Sequence, residues 1–134
     1  MESLPKFHDA NIEVVGFSPG PRKLTIGLVQ SDGVRIQLEC ESVAGFELSP
    51  FCEQNVLFEA NLYPIEEIPQ HLSSAVAGVA SQGLQQGLWV LELDASVGLG
   101  GLVVAGSFRT SGTLSQELCS AGTLQRSVGA WVLG

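Results

Sequence analysis

The chain predicts a mainly β domain: a twisted antiparallel sheet closing toward a sandwich or barrel, with at most one or two short helices. Three observations carry this. Leu24, Ile26 and Leu28, then Val34, Ile36, Leu38 and Cys40, alternate with their neighbours on both sides of Asp32-Gly33. Period-two alternation around an Asp-Gly is the strongest short-range hairpin signal. Further apolar runs of strand length recur at 56–62, 89–93 and 99–108, and Ser18-Pro19-Gly20-Pro21, Ser49-Pro50 and Pro64 punctuate the chain between runs. Many short strands separated by turn residues suit a closing all-β sheet.

The elements follow in order. Residues 1–10 form a lead-in carrying Phe7, His8 and Asp9. Ile12 to Phe17 is a strand that the Pro-Gly-Pro run ends, since proline cannot continue a ladder. The hairpin spans Lys23 to Glu41, and Val43 to Leu48 forms a short strand or edge segment. From Asn55 to Tyr63, Val56, Phe58, Ala60 and Leu62 face one way, with Glu59 and Asn61 opposite. Between Gln70 and Gln82, Leu72, Ala75, Val76, Val79 and Ala80 take helical spacing, weakened by Gly78 and Gly83. Trp89, Leu91 and Leu93 then alternate with Val90, Glu92 and Asp94. The run Leu99 to Phe108 is almost unbroken in its apolar character, which predicts burial on both faces. Its glycines (Gly98, Gly100, Gly101, Gly106) predict bends where backbones approach closely. Residues 109–134 read as a loosely attached tail with one ordered piece, Val128 to Leu133.

Length and composition bound the function. The 134 residues, 45 % hydrophobic, suit one domain with one core. Fourteen acids against six lysines and arginines leave a formal net charge of −8. That balance repels phosphate backbones and anionic lipid surfaces, so nucleic acid and membrane are not expected partners. The imbalance sits in residues 1–67, with 11 acids against Lys6, Arg22, Lys23 and Arg35, a net of −7. It suits a basic protein partner. Three cysteines, Cys40, Cys52 and Cys119, show no Cys-x-x-Cys spacing and fit a reducing cytoplasm. No basic stretch followed by a long apolar run opens the chain, and Val97 to Phe108 is too short for a membrane helix of roughly 20 residues.

Chemistry-bearing motifs are sparse. The histidines are His8 and His71. His8-Asp9 invites an acid/base reading, but neighbours on an extended strand point to opposite sides, and no nucleophile elbow accompanies them. Zinc-ligand spacing is missing, and Val97-Gly98-Leu99-Gly100-Gly101 lacks the lysine and the order of a phosphate loop. No catalytic residue, cofactor or metal is therefore assigned. His8, Asp9 and Asn55 are read as fold support, because Asp and Asn side chains satisfy backbone groups at bends.

Three local patterns carry a family likeness: Phe7-His8-Asp9-Ala10 before the first strand; Phe51 with Gln54-Asn55-Val56-Leu57-Phe58; and Leu93-Asp94-Ala95-Ser96-Val97-Gly98 before the glycine-rich strand. In this order, over residues 4 to 108, they resemble small β-rich bacterial proteins that include immunity proteins of polymorphic toxin systems. The resemblance implies a non-enzymatic domain that neutralises a basic toxin. On that reading Glu39, Glu41, Glu47 and Glu53 steer or grip the partner, and Phe51 or Tyr63 supplies a desolvated anchor. Rival readings are a small-ligand β-barrel with room left by the glycines of 97–106, and a hydrolase-type enzyme using His8. Homo-oligomerisation through exposed edge strands is compatible with each.

Overall fold

The computed structural model describes residues 2–3, 7–80, 83–111 and 116–120. Eight strands and one α-helix account for most of them: β1 (Glu2–Ser3), β2 (Asn11–Ser18), β3 (Lys23–Val29), β4 (Arg35–Ser49), β5 (Val56–Pro64), α1 (Gln70–Val79), β6 (Trp89–Val97), β7 (Gly100–Ser111) and β8 (Gln116–Ser120). All pairings are antiparallel, and the order β5-β2-β3-β4-β7-β6 returns to β5. The expected sheet therefore forms, and its closure is ring-like without making a barrel. Only Asn11↔Val56 joins β2 to β5 in register. Backbone bonds from Asp9 N–H to Leu57 O and from Leu57 N–H to Ala10 O carry the junction further.

The hairpin holds the register its alternation requires, from Leu24↔Cys40 to Val29↔Arg35. Its turn is fixed by Gly33 at φ +87°, and by the Val34 N–H donating 3.0 Å to the Asp32 carboxylate. Val43 to Leu48 is not a separate strand: β4 runs through Ser49. The break felt in the sequence is a register shift between Val43 and Gly45, beside Ser42 at φ +53°. A bulge of this kind bends a strand without ending it.

Two cores lie on opposite faces of the sheet. The ring interior holds Ile12, Leu24, Ile26, Leu38, Cys40, Leu57, Leu62, Leu91, Val103 and Phe108 among others, all buried. The rings of Phe17 and Phe46, edge to face at 4.9 Å, pack against this cluster. The second core is outside the ring, where Ala44, Tyr63, Val90, Leu102 and Val104 meet Leu72 and Val76 of α1. Burial of β7 on both faces follows from this arrangement, as Val103 and Ala105 point inward and Leu102 and Val104 lie under the helix.

Helix α1 begins after Pro69 and ends at Ala80, whose N–H bonds Val76 O, somewhat short of the expected Gln82. It packs so closely on β4 that a Cβ at Gly45 would lie 1.7 Å from the Val79 carbonyl oxygen. Residue 45 must therefore lack a side chain. In the tail, β7 extends to Ser111 and Gln116–Ser120 pairs with it. Val128 to Leu133 lies outside the described residues. Among the described residues no helix is long and apolar enough to cross a membrane.

A candidate docking face

The outer face of β5 and β6 is set by a local irregularity. Strict alternation would send Phe58 inward with Ala60 and Leu62. Instead the register shifts between Leu57 and Glu59, Leu57 fills the core, and Phe58 turns out with half its surface (50 %) in water. Its neighbours Val56 and Val97 pair across the strands, and Val97 is 47 % exposed. His8 packs edge-on against Phe58 with ring centroids 5.7 Å apart, and its Nδ1–H donates to the Phe58 carbonyl.

His8 and Asp9 also meet, contrary to the expectation from an extended chain: Nε2 stands 3.6 Å from Asp9 Oδ2. The reason is backbone conformation. Asp9 sits at φ +64°, so the pair occupies a turn and not a strand. Both side chains are more than half exposed, and among the described residues no group of three or more His, Cys, Asp or Glu side chains is placed to hold a metal.

Asn55 fixes this end of the molecule. It is 2 % exposed, and its Oδ1 accepts from Cys52 N–H at 2.8 Å and Leu99 N–H at 3.0 Å. Its Nδ2 donates to Cys52 O at 2.8 Å and Ile12 O at 3.4 Å, while its own N–H reaches Asn11 Oδ1 at 3.0 Å. One amide thus ties the loop at 51–54, strand β2 and the β6–β7 turn together. Gly98 closes over it at φ +77°, where a Cβ would lie 2.5 Å from Asn55 Oδ1. Phe51 (58 % exposed) and Glu53 project from the loop so anchored.

The acidic side chains fall into two sets. On the hairpin, Glu39 lies 3.7 Å from both Lys23 Nζ and Arg109 Nε, and Glu41 lies 3.3 Å from Arg109. Both are compensated within the chain. On the β5–β6 face, Glu59 stands directly opposite Asp94, and Asn61 opposite Glu92. Glu47 continues the second row through Glu92↔Leu102 and Leu102↔Glu47. Among the described residues no cation pairs with Glu59, Asp94 or Glu47, and Glu92 has only His71, at 3.3 Å.

Tyr63 is no surface anchor. It is 6 % exposed within the helix-side core, and its hydroxyl donates to Glu92 Oε1 at 3.1 Å. Burial, then the charges of Glu92 and Glu59, push its pKa up to about 12. Burial likewise pushes the Cys40 thiol up, with Glu39 adding to it.

Phe51 and Glu53 thus sit on the loop that Asn55 anchors, His8 and Asp9 sit beside Phe58 and Leu57 of β5, and Glu39 and Glu41 lie apart on the hairpin. Sequence reasoning passed over Phe58, Glu59 and Asp94 as site residues. Alternation placed Glu59 and Asp94 outward on their own strands, but only the pairing of β5 with β6 makes them neighbours. Comparison with family models, curated proteins and solved structures finds no match to this chain.

Proposed function

We propose that this chain is a non-enzymatic protein-binding domain whose docking surface is the outer face of β5 and β6. The observation that carries the reading is Glu59 directly opposite Asp94, with no cation on either among the described residues, beside the half-exposed ring of Phe58. Like charges opposite one another on paired strands destabilise a sheet by about 0.2–1 kcal/mol. A partner that inserts a lysine or arginine between them removes that cost and gains a charged hydrogen bond. Phe58 and Val97 supply an apolar centre, and Glu53, Asp9 and Glu47 extend an acidic rim that speeds encounter with a basic protein. The sharpest form of the reading is an immunity protein that neutralises a basic bacterial toxin, the class its Phe7-His8-Asp9-Ala10 and Gln54-Asn55-Val56 motifs resemble.

The ring interior favours this over a small-ligand barrel. Phe108, Ile12 and six leucine or isoleucine side chains (Leu24, Ile26, Leu38, Leu57, Leu62, Leu91) occupy it with essentially no exposed surface. Exposure of His8 beside Asp9 keeps a hydrolase reading testable, and His8→Ala separates it from fold support by whether stability or activity is lost.

The test is capture from cell lysate at low salt by the original protein, by Glu59→Lys/Asp94→Lys and by Glu39→Lys/Glu41→Lys. The expected result is a basic protein held by the first and third and lost by the second. Retention by the Glu59→Lys/Asp94→Lys variant, or capture of no basic protein at all, sinks the proposal.

A further inference from the structure

Arg22 is the exception among the described cations. Lys23, Arg35 and Arg109 each pair with a carboxylate, while among the described residues none pairs with Arg22. Nothing about Arg22 is loose. Its Nε–H donates 2.9 Å to Val43 O, its backbone carbonyl accepts from Val43 N–H at 3.0 Å, and its guanidinium stacks 5.3 Å from the centre of the Phe17 ring. Both Arg22 (φ +54°) and Ser42 (φ +53°) hold a left-handed backbone conformation that non-glycine residues adopt at a cost of order 1–3 kcal/mol.

Arg22 lines a hollow of about 230 Å³ between the start of β3, the bend of β4 and residues 83–88. Ser42 and Gln85 give it polar walls, and Val43, Ala44 and Leu88 form its apolar side. With Nε engaged, the remaining N–H groups of the planar fork are the ones left for an oxyanion, and a carboxylate matches that fork with two parallel bonds.

We infer that this hollow binds a small carboxylate with a short apolar chain, its head group on the free end of the Arg22 fork and its chain along the apolar side formed by Val43, Ala44 and Leu88. The site is separate from the β5–β6 face and opposite in charge preference. A net charge of −8 repels anions from the surface at large. Local capture must then come from the fork and the apolar wall together.

The experiment is an amide NMR titration of the full chain with sodium butyrate, with sodium acetate, butylammonium chloride and sodium chloride as matched controls. Saturable shifts confined to the amides around Ser42–Ala44 and Leu88 are expected with butyrate. Acetate should bind more weakly, and butylammonium should leave those amides unmoved. Arg22→Lys keeps the charge but loses the fork, and should weaken butyrate binding about tenfold or more, the scale of a charge-assisted bidentate contact. Shifts that fail to saturate, that chloride reproduces, or that survive Arg22→Lys undiminished overturn the inference. Should Arg22→Lys not fold, the ordering butyrate over acetate over chloride in the original protein decides the matter alone.

Discussion

Two faces of this sheet carry alternating acids, and they behave differently for a reason that neither strand contains. On the hairpin, β7 arrives as a third strand and sets Arg109 opposite Glu39, with Lys23 on the other side. On the β5–β6 face the neighbour of Glu59 is Asp94, and the row beside it runs Asn61, Glu92, Leu102, Glu47. The same local pattern thus yields a compensated surface in one place and an uncompensated one in the other. An acid's availability to a partner is decided across the strands, not along them.

The largest expected effect breaks the frame under the second face. Asn55→Ala removes an amide whose oxygen and nitrogen each serve two backbone groups, and leaves the N–H groups of Cys52 and Leu99 without their acceptor. An orphaned buried donor costs about 1–3 kcal/mol, so a loss of about 3 kcal/mol or more is expected by urea unfolding. Hydrogen exchange sharpens the comparison. Protection should fall at residues 55–58 and 97–99 while the hairpin amides of 24–28 keep theirs. Equal loss in both regions would mean that the ring unfolds as one unit and that the two faces are not separately supported.

A second effect, of about 2 kcal/mol, distinguishes the faces by pH. Tyr63 lies on the β5–β6 side with Glu92 and Glu59 near it, and its pKa is raised from 10.0 to about 12. Folding therefore favours its protonated form. Below pH 10 neither state loses the proton and the contribution is constant. Between pH 10 and 12 the unfolded chain releases it first, so stability falls as pH rises through that window. Tyr63→Phe should flatten this alkaline decline while costing the bond to Glu92 at neutral pH. An unchanged decline in the variant would assign the alkaline sensitivity to other groups.

Much of the fold was legible from the chain because its signals are local. The hairpin register, the Trp89–Asp94 alternation, the two-sided burial of β7 and the inward placement of Cys40 all follow from neighbours within a few residues. What escaped depends on partners far along the chain. Phe58 faces outward because β5 and β6 count differently across Leu57 and Glu59, and a bulge leaves no mark in the residues of one strand. Tyr63 is buried because α1 lies over it, although Glu59 and Asn61 on the same face read as solvent-exposed. His8 meets Asp9 because Asp9 adopts a positive φ, which an aspartate tolerates but does not announce. The Glu59–Asp94 face was invisible for the same reason: its acids are 35 residues apart and meet only through strand pairing.

The smallest effects are the most telling, because the two faces should answer with opposite signs. Glu39→Gln removes a carboxylate that has Lys23 and Arg109 within 3.7 Å, and should lower stability by about 0.2–1 kcal/mol, the range for part-exposed pairs. Asp94→Asn removes one of two carboxylates that face each other, and should raise stability by a similar amount, about 0.2–1 kcal/mol. Salt separates them further. Screening weakens attraction on the hairpin and repulsion on the β5–β6 face alike, so both differences should shrink toward zero as ionic strength rises. Matched urea titrations of the two variants at low and high salt measure this directly. If Asp94→Asn destabilises, then the carboxylate is already compensated, the repulsion that a basic partner would relieve does not exist, and the proposed docking face loses its driving force.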